Sequence, residues 1–67
     1  MEDKQFKESI ELIEAALKDR GYDPHIQLLG YITQKDPTYI TSHNDARDLI
    51  QTLAFDKVKQ YVQELER

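Results

Sequence analysis

GYDPHIQLLGYITQKDPTYI, Gly21 to Ile40, holds both glycines, both prolines and three of the four tyrosines of a 67-residue chain. Gly21 follows Arg20 at the end of an apolar-periodic segment, which is a helix stop. Asp23 reads as an N-cap and Pro24 as the first helical residue, where its missing N–H costs nothing. Ile26, Leu28, Leu29, Tyr31 and Ile32 carry a helix to about Gln34. They cover more than one face, so neighbours are expected around it. Gly30 sits inside this helix at a cost of about 1 kcal/mol relative to alanine. The expected compensation is close approach of another backbone. Asp36-Pro37 opens a turn or a single helical turn.

Working outward, Phe6, Ile10, Ile13 and Leu17 recur at steps of four, three and four, with Leu12 and Ala16 alongside. That spacing predicts an amphipathic helix over 4–20, with Asp3 as its N-cap and Glu14 paired with Lys18. On the other side, Ser42 reads as an N-cap with Asp45 as its capping-box partner. A third helix carries Ala46, Leu49, Ile50 and Leu53. The apolar phase breaks near 54–57, and a last segment carries Val58, Tyr61, Val62 and Leu65, with Asp56 as a possible cap. No Gly or Pro separates these two, so one bent helix is the alternative. The predicted fold is all-α: one domain over 1–67, a compact bundle of about four short helices.

A chain of this size buries only about 60% of its unfolded surface, so its core needs support. There is no Cys, which excludes disulfides and thiolate zinc sites. Self-association is the support that remains, so a homodimer is expected, intertwined or closely packed. The net charge of −4 argues against broad phosphate binding and against anionic membranes. The N-terminal "MEDKQFKES" lacks the apolar core of a signal peptide, and no apolar run approaches membrane length. Cytoplasmic residence is the default.

Short helices joined by tight turns raise a helix-turn-helix-like nucleic-acid-binding regulator as the alternative. Its reading helix would present Asn44, Arg47 and Gln51, but Asp45 and Asp48 among them repel phosphates. His25 and His43, even with Asp23 or Asp45, match no metal-ligand spacing and read as polar first-turn residues. No catalytic ordering, phosphate loop or cofactor motif is present, so neither an enzyme nor a cofactor is expected. Tyr22, Tyr31 and Tyr39 suit either an interface or the edge of a monomeric core. Arg47 reads first as a structural ion-pair partner of Asp36, Asp23 or a carboxylate of another chain.

The order and spacing of these elements resemble the IreB family of small regulatory phosphoproteins of Gram-positive bacteria. Gly21, Tyr22 and Pro24 match its Gly-Tyr-Asn-Pro element, with Asp23 in place of Asn. Gln27, Gly30 and Tyr31 match its second element, Asp36, Pro37 and Tyr39 its third, and Ala46, Arg47 and Ile50 its fourth. The resemblance implies a compact all-helical homodimer without enzymatic activity. It implies negative regulation of a cell-envelope stress response, including intrinsic cephalosporin resistance. A transmembrane Ser/Thr kinase and a cognate phosphatase would be its partners, with a downstream protein target. The family's acceptor threonines lie ahead of the first helix, whereas the first Thr here is Thr33 and the earliest hydroxyl is Ser9. Thr38, Thr41 and Ser42, in the connector, are the sterically better acceptors. Gly30 and Tyr31 are expected at the dimer contact.

Overall fold

The computed structural model describes residues 2–65, and of Glu2 and Asp3 only the backbone. Helix α1 runs Glu2–Asp19, α2 Pro24–Gln34, α3 Ala46–Thr52 and α4 Phe55–Leu65. Two single 3-10 turns, Pro37–Tyr39 and His43–Asp45, lie between α2 and α3. Among the described residues there is no strand. The all-helical expectation is met.

α1 begins ahead of Asp3, so that residue lies in the first turn and is not the cap. Its inward face buries Ile10, Ile13, Ala16 and Leu17. Leu12 points outward and is 64% exposed, contrary to its placement on the apolar face. The helix ends as Gly21 takes φ 83°. Gly21 N donates to the Lys18 carbonyl and Tyr22 N to the Leu17 carbonyl, both at 2.9 Å. This doubly bonded left-handed terminus satisfies carbonyls that the helix leaves over, and it needs the freedom of glycine at the turning residue.

Asp23 then caps α2 as read: its carboxylate accepts from His25 N at 3.0 Å and Ile26 N at 3.3 Å. Only one side of α2 is buried, through Leu28 and Tyr31, while Ile26 is 62% exposed. The helix is therefore not surrounded. It stops at Gln34 because Lys35 turns left-handed at φ 54°.

The start of α3 departs from expectation. Ser42 makes no side-chain capping bond, and Asp45 cannot close a capping box because it is left-handed at φ 60°, as is Asn44 at φ 54°. Two consecutive left-handed residues turn the chain instead, a conformation that Asn and Asp tolerate better than most. α3 and α4 are separate helices. Leu53 is extended at ψ 145° and Ala54, not Asp56, offers the carbonyl that receives Lys57 N and Val58 N. Asp56 sits inside the first turn of α4, where its charge suits the helix dipole.

α1 packs on α3 and α2, and α4 packs on α2. The core they enclose is Ile10, Ile13, Leu17, Leu28, Tyr31, Ile40, Ile50, Val58 and Val62, with Ala16 and Ala46. No polar or charged residue is buried among the described residues. The Tyr31 and Phe55 rings meet at 5.6 Å between centroids, and Phe6 meets Tyr61 edge-on at 6.3 Å. The Cα radius of gyration is 10.7 Å, close to the ~11 Å expected of a compact chain this long. The core closes within one chain.

Candidate functional site

Six of the twelve motif residues converge on the connector 36–40, which crosses the face of α2 as a strap. Asp36 starts it, accepting from Thr38 N at 3.0 Å and Thr38 Oγ1 at 2.8 Å. The Thr38 backbone bond, then its hydroxyl, hold the Asp36 carboxyl below the usual carboxylate range, with Arg47 adding the smallest share. Pro37 sets the 3-10 turn that follows. Gln27 Nε2 on α2 donates to the Tyr39 carbonyl at 2.9 Å, and Arg47 Nε on α3 donates to the Ile40 carbonyl at 2.9 Å. The strap ends with Ile40 buried in the core.

Gly30 is explained by the same strap. A Cβ at Gly30 would lie 2.6 Å from Cδ1 and 2.7 Å from Cε1 of Tyr39. The close approach is by a side-chain ring of the same chain, not by a second backbone, which corrects the sequence expectation. Tyr31, expected with Gly30 at the dimer contact, is only 7% exposed in the single chain. Arg47 also differs from its expected role: its hydrogen bond goes to a carbonyl, and the Asp36 carboxylate feels it only as a nearby charge.

The other motif residues fall into two groups. Gly21, Tyr22 and Pro24 form the joint between α1 and α2, and Tyr31, Ala46 and Ile50 are core. What remains on the outside is apolar. Tyr39 is 38% exposed, Tyr22 48% and Ile26 62%. Ile26 is one helical turn from Gly30 on the same face of α2. Sequence reasoning singled out the tyrosines but placed Ile26 inward, because periodicity alone did not show that α2 is open on this side.

His43 lies half-buried with Nε2 3.5 Å from Asp19 Oδ2, so it has a carboxylate neighbour rather than facing bulk water alone. Among the described residues no three His, Cys, Asp or Glu lie together as a metal site. A groove of about 430 Å³ runs beside Phe6 and Tyr61, rimmed by Lys7, Lys57, Gln60 and Glu64. Tyr61 OH donates to Glu14 Oε2 at 2.9 Å at its inner edge, so Glu14 serves the α1–α4 contact. Burial and then that bond push the Tyr61 hydroxyl up to about 12. Among the described residues no helix is long and apolar enough to cross a membrane.

Comparison with known proteins follows the same outline. A match to the family described as IreB regulatory phosphoprotein spans residues 1–65. A UPF0297 protein of Lachnoclostridium phytofermentans is 44% identical over 52 residues, covering 78% of this chain and 59% of that protein. A UPF0297 protein of Ruminiclostridium cellulolyticum is 38% identical over 60 residues, covering 90% of this chain and 68% of that protein. The chain thus spans roughly three fifths to two thirds of the length of these relatives.

Proposed function

The chain belongs to the IreB family of regulatory phosphoproteins, and on that premise we propose that it is a non-enzymatic cytoplasmic regulator acting through protein contacts. In this reading it restrains a cell-envelope stress response, including intrinsic cephalosporin resistance, under a Ser/Thr kinase and its phosphatase. The working form is a closely packed homodimer, and the contact face is the apolar patch of Tyr22, Ile26 and Tyr39.

One observation carries the choice of face. Four side-chain hydrogen bonds fix a surface loop so that an aromatic ring lies over Gly30, and Ile26, one helical turn before Gly30, is left exposed. A core this small gains from covering such a patch. Sedimentation equilibrium tests it: the unmodified protein is expected to be dimeric at micromolar concentration, and Ile26→Glu monomeric with an unchanged circular dichroism spectrum. A wild-type monomer refutes the dimer. In cells lacking the gene, Ile26→Glu is expected to leave cephalosporin resistance at the elevated level of the deletion, while wild type lowers it. Equal rescue by both refutes the patch.

A further inference from the structure

The family is one of phosphoproteins, and the connector and helix hydroxyls of this chain differ in how committed they are. Ser9 lies within α1 and Thr33 within α2, where the backbone is held in helical hydrogen bonds. Thr52 Oγ1 donates to the Leu49 carbonyl at 2.7 Å. Thr38 Oγ1 donates to Asp36 at 2.8 Å, and half-buried Thr41 accepts from His43 N at 3.2 Å. Ser42 differs from all of these: it is exposed, it lies outside the helices, and its side chain makes no capping bond.

We propose that Ser42 is a phosphoacceptor, an assignment that rests on the family reading. Ser42 Oγ attacks the γ-phosphorus of a nucleoside triphosphate held by a protein Ser/Thr kinase. The Oγ–P bond forms as the bond to the bridging oxygen of the β-phosphate breaks. The nucleoside diphosphate leaves, and the hydroxyl proton passes to a carboxylate of the kinase.

The segment around Ser42 can be presented to an enzyme. It runs from Thr41 to Asp45 between two buried anchors, Ile40 and Ala46, and none of its own residues is buried. It is held by the short bonds of one turn, Asp45 N to the Ser42 carbonyl among them, and by the His43–Asp19 approach. Asn44 and Asp45 are both left-handed, so opening the turn releases a conformation that non-glycine residues hold at a cost. Segments with few buried contacts open locally long before the core does.

The phosphate would act on the strap. Ser42 follows Ile40 by two residues, so their Cα atoms are at most ~7 Å apart. The Ile40 carbonyl is where Arg47 Nε binds. A phosphoserine brings roughly two negative charges and three acceptor oxygens, and the remaining guanidinium donors of Arg47 are its natural partner. Asp19 and Asp45 are the anionic neighbours it must outweigh. Phosphorylation at Ser42 therefore reaches the residue that fastens Ile40, next to Tyr39, to α3.

The test uses the full chain with ATP and the purified kinase domain of the membrane Ser/Thr kinase from a bacterium that carries this family. Tandem mass spectrometry is expected to place phosphate on Ser42, to lose it in Ser42→Ala, and to retain it in Thr38→Ala and Thr41→Ala. In the modified wild type, the Arg47 Nε–H and Tyr39 amide resonances are expected to shift. Undiminished phosphate on another residue of Ser42→Ala overturns the Ser42 assignment and leaves the family reading standing. No phosphate on any residue overturns the Ser42 assignment and the proposed kinase-substrate role together. Phosphate on Ser42 with Arg47 and Tyr39 unmoved overturns the coupling to the strap.

Discussion

Gly30→Ala should change sign with the residue at position 39. In wild type the added Cβ meets the Tyr39 ring at 2.6 Å, so the ring must leave its seat. The ring is more than half buried, and returning an aromatic of that burial to water costs about 2 kcal/mol. Alanine for glycine in a helix interior gains about 1 kcal/mol. The net expectation is destabilisation by about 1 kcal/mol. In a Tyr39→Ala background the obstacle is gone, and the same substitution should stabilise by about 1 kcal/mol. The coupling in the double-mutant cycle is then about 2 kcal/mol. Urea unfolding followed by circular dichroism at two protein concentrations measures it. If Gly30→Ala is equally stabilising in both backgrounds, the ring does not seat on Gly30. If it is destabilising in both, and more so at high protein concentration, a second subunit covers Gly30 and the intramolecular account is wrong.

Other residues give shorter tests. Asp23→Ala removes the acceptor for His25 N and Ile26 N and should cost about 1 kcal/mol in urea unfolding. Tyr61→Phe removes the bond to Glu14 and should cost about 1 kcal/mol at neutral pH. Tyr61 ionises only near 12 in the fold against an ordinary 10.0, so its contribution is whole below the ordinary value and fades as pH climbs between them. Tyr61→Phe should flatten that alkaline limb. Asp36 is held below its ordinary 3.8, so its grip on Thr38 is present at neutral pH and lost as acid protonates it. Protection of the Thr38 amide, taken against the intrinsic exchange rate at each pH, should therefore fall at low pH, and in Asp36→Ala the amide should be unprotected throughout.

The parts of this fold legible in the sequence are those written in local chemistry. Gly21, the Asp23-Pro24 start and the Asp36-Pro37 turn each act within four residues, and all three stand where turn and capping preferences place them. The inner face of α1 was legible for a similar reason, since Ile10, Ile13 and Leu17 repeat at helical spacing. Leu12 and Ile26 were not. An apolar residue adds to a periodic pattern whether or not a neighbour covers it, and which side of α2 stays open depends on where α4 and α1 pack. The Ser42 cap failed because a better-looking cap residue lost to backbone geometry: Lys35, Asn44 and Asp45 adopt positive φ without glycine, and no propensity marks such a choice. Gly30 carried a signal, its helix penalty, without an address. Its partner is a ring nine positions along, reached only after the chain has turned at Asp36.

That address changes what the motif residues mean. Read as a list, Gln27, Gly30, Asp36, Pro37, Tyr39 and Arg47 suggest a binding surface. In three dimensions Gln27 and Arg47 spend their donors on the backbone of the strap, Asp36 spends its carboxylate on Thr38, and Gly30 yields its Cβ position to Tyr39. Each of the four is engaged in holding the strap, so substituting them should impair any partner contact indirectly, by loosening it. Ile26 and Tyr22 hold nothing comparable in place, and substituting them should impair contact without loosening the strap. The two classes separate in a single comparison: Gln27→Ala should raise hydrogen exchange at the Tyr39 and Ile40 amides as it weakens association. Ile26→Glu should weaken association while leaving those amides as protected as in wild type. If Gln27→Ala weakens association with the strap amides unchanged, Gln27 touches the partner directly, and the division between fastening and contacting residues fails.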